Sequence, residues 1–271
     1  MEYEKFEQST IEAIQGCKSE IKHCLNNALY HIEKAWEIKN IDLEMAVFRG
    51  ITAEEEAASA IFHCLKKHRY QNAEKIQFKK HPTKLGLYPF LVHVYDCLYE
   101  IFFAESGPFE KFQLGIIEIS NRKAVELILK LKDQNFDVRP LPPLHFTASA
   151  FNTEDPSVRK PIMYDNDFKE KIQRDTGYKK VWKYIVSIAN QRNTVLYANS
   201  GGTPKVTGSV QEFLINQKNK AFLYSYIVLL IDPWEKAEGP SSFVQQVLDS
   251  YLLLLERINE EEISSFPSSV A

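Results

Sequence analysis

Cysteine, long apolar runs and a basic charge balance are all in short supply in this chain. Its 271 residues include four cysteines, Cys17, Cys24, Cys64 and Cys97, with no C-x-x-C pair. The thiols therefore read as reduced, in a cytosolic protein. The longest apolar stretches are 85–103 and 221–231. His93, Asp96 and Glu100 interrupt the first, and the second falls short of the roughly 20 residues that span a bilayer. Met1 to Lys5 carries charge where a secretory leader needs an apolar run. No membrane span is expected, and the expected location is the cytoplasm. A net charge of -3 gives no overall attraction to nucleic acid, so such binding would fall to a local patch. No G-x-S-x-G elbow occurs, and no G-K-[ST] follows Gly201 and Gly202, which read as helix-stop residues. Internal repeats and long low-complexity tracts are also lacking.

A hydrophobic content of 44% is enough for a sizeable core in one large domain or two modest ones. Apolar residues recur at three-and-four spacing from Ile11 through Leu25 to Trp36, which predicts one long amphipathic helix over 11–38. Further helices are predicted over 43–70 and 87–103, the latter closed by Ser106, Gly107 and Pro108. Over 109–132 two readings stand. Ile116, Ile117, Val125, Ile128 and Leu131 fit a helix pair, while alternation at Val125, Leu127, Leu129 and Leu131 fits a small β-hairpin. Pro140, Pro142, Pro143, Pro156 and Pro161 then predict a long irregular excursion. Helical periodicity returns over 178–198, 209–231 and 241–258. The expected fold is mainly α: a helical bundle (1–108), a proline-rich irregular insertion (109–177), C-terminal helices packing back on the bundle (178–258) and a flexible tail (259–271).

On the helix beginning near Tyr178, Val181, Ile185, Ile188, Val195 and Leu196 form an apolar stripe at about 100° per residue, with Arg192 near its centre. A guanidinium cannot shed its charge and is costly to desolvate. Arg192 should therefore meet a carboxylate, a carbonyl cluster or an anionic ligand. Asn193 and Tyr197 flank the same stripe. The run Gln191 to Tyr197 resembles the motif of the HEPN superfamily: an arginine, a polar residue, three more residues and a histidine, on a late helix of a helical bundle. That resemblance implies a metal-independent endoribonuclease of toxin or antiviral-defence type, acting as a homodimer. It assigns Arg192 to the phosphate and Asn193 to the adjacent polar role. Tyr197 stands where the family has histidine. A phenol near pH 10 is a poor base at neutral pH, so activity requires a lowered Tyr197 pKa or another base.

Over 43–70 the predicted core stripe is Ala46, Ala53, Ala57, Ala60, Ile61 and Cys64, with Arg49, Glu56 and His63 along its margin. Glu54 and Glu55 are expected to turn towards solvent. The resemblance further implies an acidic cluster on an early helix facing that arginine, which makes Glu56 the first candidate partner for Arg192, with Glu55 behind it; His63 is the nearest candidate proton carrier. A basic segment, Lys66, Lys67, His68, Arg69, Lys75, Lys79, Lys80, His81 and Lys84, is either a solvated helix end or a phosphate-binding patch. Arg49 and, from this segment, Lys66, Lys67 and Arg69 make up the candidate contacts to substrate. Glu20 and His23 form a lone E-x-x-H pair, and a di-metal site needs a second copy and further carboxylates. No metal or cofactor is expected. The alternative function is a non-catalytic adaptor, whose cleft holds a protein partner or a nucleotide.

Overall fold

A computed structural model describes residues 1–105, 107–119, 121–132, 136–145, 148–151, 159–162, 176–196, 206–234 and 239–265. The fold is mainly α. Helices α1 (Lys5–Ile14), α2 (Ser19–Ile38), α3 (Leu43–Lys67), α4 (His81–Leu85) and α5 (Leu87–Phe102) come first. Strands β1 (Phe109–Ile119), β2 (Arg122–Leu131), β3 (Asp137–Val138), β4 (Ala148–Phe151) and β5 (Arg159–Ile162) follow. Helices α6 (Thr176–Leu196), α7 (Val210–Ile231) and α8 (Ser242–Ser265) complete the chain. No helix among the described residues is long and apolar enough to cross a membrane.

Two expectations about elements change. The predicted helix over 11–38 is broken at residues 15–18, between α1 and α2. Gly16 lies in the break, where an added Cβ would sit 3.1 Å from Arg122 Nε. The segment 109–132 is a hairpin, with β1 and β2 antiparallel in a register running from Phe109 opposite Leu131 to Ile119 opposite Arg122. Asn121 makes the turn in the left-handed region, at φ 62°. Alternation in β2 sends Val125, Leu127 and Leu129 into the main core, against α1 and α7. β3 adds to β2, and β4 pairs with β5 in a separate two-stranded sheet inside the segment expected to be irregular.

At the centre lies α3, packed against α2, α4, α6 and α7. Asp42 caps its start by accepting the Met45 N–H at 2.9 Å. The helix ends in a Schellman turn, in which the Tyr70 N–H donates to Leu65 O and the Arg69 N–H to Lys66 O. Alanines and glycine let the neighbours approach closely: Ala46, Ala53, Ala57, Ala58 and Ala60 are all buried. At Gly50 an added Cβ would lie 2.7 Å from Phe213 Cε1 and 3.1 Å from Leu214 Cδ2 on α7. The C-terminal helices thus share one core with the N-terminal ones, from Ala13 to Ile258. A second cluster joins Ala46, Val47 and Ile51 of α3 to Leu85, Ile188, Val195 and Leu214.

A glycine inside a helix is usually less stable than a larger residue, but here close packing outweighs propensity. Gly50→Val is expected to destabilise the protein by about 1–3 kcal/mol in urea unfolding. Unchanged stability would show that α3 and α7 are not in close contact at this point.

Candidate functional site

Three consecutive carboxylates of α3 turn to three different neighbours. Glu54 and Glu55, expected to face solvent, are buried at 0% and 5% exposure. An edge-of-helix reading assumes one broad wet face, whereas α2, α4, α6 and α7 all pack on α3 and leave only Glu56 of the run half-exposed. Glu54 accepts from Lys220 Nζ on α7 at 2.8 Å and from the Tyr184 hydroxyl on α6 at 3.1 Å. Lys220 also donates to the Tyr184 oxygen and lies 4.7 Å from the centre of the Tyr88 ring. Burial pushes the Glu54 carboxyl above its ordinary range, against the pull of Lys220 and Tyr184. The Tyr184 phenol is raised as well, by burial first and then by Glu54.

Glu55 faces α4. His81 Nδ1 donates to its Oε1 at 2.6 Å, and Lys84 Nζ lies 3.9 Å from its Oε2. His81 and Lys84 stand three residues apart, on one side of the turn that α4 provides. Because an ionised carboxylate only accepts, Nδ1 carries the proton and Nε2 is the free nitrogen of the ring. The His81 side chain is 46% exposed, while its carboxylate partner is buried. A histidine oriented by a buried carboxylate and open to solvent on its other edge is the pairing used for general acid–base transfer.

Glu56 turns to α2 and accepts from Asn27 Nδ2 at 3.0 Å. It does not meet Arg192. The stripe predicted on α6 is present, with Val181, Ile185, Ile188 and Val195 buried. Arg192 is half-buried, and its guanidinium lies 5.5 Å from the centre of the Phe48 ring on α3. The desolvated cation is met by an aromatic face, and no ion pair to it is seen among the described residues. Phe48 and Glu55 are seven residues apart on one face of α3, about 10 Å along its axis. Arg192 therefore borders the strip of α3 that carries Glu55. Asn193 falls on α6, and Tyr197 lies outside the described residues.

The remaining candidates disperse. His63 packs half-buried against Phe78, with ring centroids 5.3 Å apart, and Lys66 lies over the same ring at 4.4 Å. Arg49 donates to His31 Nδ1 at 3.3 Å, between α2 and α3. Burial and then Arg49 lower the His31 pKa. Arg49 stands roughly 25 Å of helix from Lys66, so the proposed substrate contacts do not form one patch.

Lys67 and His68 instead serve Asp232, just beyond α7. Lys67 is ion-paired to it, His68 Nε2 donates to Oδ1 at 3.2 Å, and Arg122 Nη2 donates to Oδ2 at 3.2 Å. Cys64, His68 and Asp232 also present three possible ligand atoms within 4.8 Å of one another. A metal cation there would have to displace Lys67 and Arg122 from the carboxylate, so the group works as an ion-pair cluster.

No protein family, curated protein or solved structure matches the chain. The chemistry of the site therefore has to be argued from its own residues. From sequence, His81 and Lys84 are placed only in the basic segment, and their pairing with an inward-turned Glu55 is missed. The alanine density on either side of the acidic run was the available signal for a helix packed on most of its faces.

Two measurements test this account. Lys220→Met leaves Glu54 buried without its cation and is expected to destabilise the protein by about 3–5 kcal/mol in urea unfolding. A much smaller loss in Lys220→Met would mean that Glu54 is not buried beside it. Asp232 supplies the second. Burial alone would raise its carboxyl, but hydrogen bonds and charge from His68 and Lys67 hold it well below the usual range. Its folded pKa lies below the unfolded one, so the stabilisation is complete above about pH 4 and is lost as pH falls through the folded value. Asp232→Asn should flatten that acid limb of the stability curve. A variant with the same acid limb as wild type would sink the assignment.

Proposed function

We propose that this chain is a HEPN-like, metal-independent endoribonuclease of a phage-defence or toxin system, cytoplasmic and dimeric, with the His81–Glu55 pair as its proton-transfer group. The observation that carries this reading is the 2.6 Å hydrogen bond from His81 Nδ1 to the buried Glu55 carboxylate, with Lys84 beside it. Glu55 fixes the tautomer and orientation of the imidazole and stabilises the imidazolium that forms. His81 Nε2 accepts the proton of a ribose 2′-hydroxyl. The freed oxygen attacks the adjacent phosphorus, the P–O5′ bond breaks as the leaving 5′-oxygen takes a proton from water, and a 2′,3′-cyclic phosphate remains while the His81 imidazolium returns its proton to solvent. Lys84 and Arg192 offset the charge that gathers on the phosphoryl oxygens. In this scheme His81 replaces both His63 and the histidine for which Tyr197 stands in the motif. Asn193 is assigned the polar role beside Arg192.

Cleavage of mixed RNA in the presence of EDTA, by the full-length protein, is the test. His81→Ala is expected to lower the rate by about 10²–10⁴-fold with the helical circular dichroism unchanged, since a positioned acid–base group contributes on that scale. Arg192→Ala is expected to abolish cleavage. Full activity in a folded His81→Ala protein would remove His81 from the mechanism. RNA left intact by the wild type at every concentration would favour the non-catalytic adaptor instead.

A further inference from the structure

At the C-terminal end of α3, about 18 Å along the helix from Glu55, a cavity of about 270 Å³ opens beside the ion-pair cluster. Lys67, His68, Arg69 and His145 line it, and among its described lining residues there is no carboxylate. Asp232 offsets part of the charge of Lys67 and His68, and Arg69 at the rim adds a positive charge that favours an anion. Leu230 and Pro142 form an apolar wall, and the Trp234 ring completes the lining. The indole N–H of Trp234 is buried with no hydrogen-bond acceptor among the described residues. That nitrogen is closed to solvent, so the indole offers the cavity its ring and not its donor.

The backbone adds a separate indication. Arg69 holds the left-handed position of the Schellman turn, at φ 57°. Glycine fills that position without steric penalty, whereas a side chain there is strained. The strain places an exposed guanidinium at the rim of the cavity, which is where an anion would be met. Guanidinium also matches phosphate geometry with paired donors.

We propose that this cavity binds a nucleoside monophosphate. Arg69 holds the phosphate at the rim, and the base lies against the apolar wall and the Trp234 ring. Lys67 and His68 lend positive potential while remaining anchored to Asp232. The site is separate from the His81–Glu55 pair and does not depend on its chemistry.

Isothermal titration calorimetry of the full-length protein at low salt, with AMP, adenosine and inorganic phosphate as probes, tests the proposal. AMP is expected to bind more tightly than phosphate, and adenosine not to bind. Arg69→Gly removes the side chain and relieves the backbone strain. It is expected to weaken AMP binding about tenfold without lowering Tm, the loss of one charge-assisted contact. Trp234→Ala, which removes the ring against which the base lies, should weaken binding in the same direction. His81→Ala should leave AMP affinity unchanged, so failure of the nuclease reading and failure of this one remain distinguishable. The proposal is overturned if AMP does not bind at millimolar concentration, if phosphate binds as tightly as AMP, or if Arg69→Gly leaves the affinity as it was.

Discussion

A helix packed on most of its faces can hold consecutive carboxylates only if each finds its own donors on a different neighbour. α3 meets this constraint at Glu54, Glu55 and Glu56, and much of the architecture follows from how it is met. Glu54 fixes the approach of α6 and α7 through Tyr184 and Lys220. Glu55 draws α4 onto the helix through His81 and Lys84, and Glu56 ties α2 through Asn27. The alanines around the acidic run let these partners come near enough to make the bonds.

The three pairings differ in what they leave open. The Glu54 pair is buried on both sides, so it acts on packing and register. The Glu55 pair joins a buried acceptor to a half-exposed donor, an asymmetry that turns a structural contact into a means of moving protons. Only the second kind of pair can meet a substrate while remaining oriented by the core. Arg192, seated on Phe48 two turns along the same face, brings positive charge to that strip of α3.

The end of α3 is governed by a different carboxylate. Asp232 gathers Lys67 and His68 from α3 and Arg122 from the start of β2, so one buried charge locks the hairpin and the end of α7 to the central helix. The break between α1 and α2 belongs to the same arrangement, because Gly16 leaves room for the Arg122 side chain. A basic run that looks like a solvated helix end is therefore divided. Lys67 and His68 are drawn inward, while Arg69 stays at the surface.

Periodicity and punctuation were enough to establish a mainly helical chain, the places of its long helices, the apolar stripe of α6 and Arg192 within it. Each of these depends on residues a few positions apart, and the three-and-four spacing of a helix records such relations directly. The alternation in β2 was equally visible, but the choice between helix pair and hairpin awaited the core into which Val125, Leu127 and Leu129 point. Only the tertiary structure decided that Glu54 and Glu55 lie inward on α3, that Glu55 belongs to His81 rather than to Arg192, and that Phe48 meets the guanidinium. Those outcomes hinge on partners 26 to 166 residues away in the chain. Burial of a charge depends on every neighbour that surrounds it, and a sequence pattern registers one helix at a time.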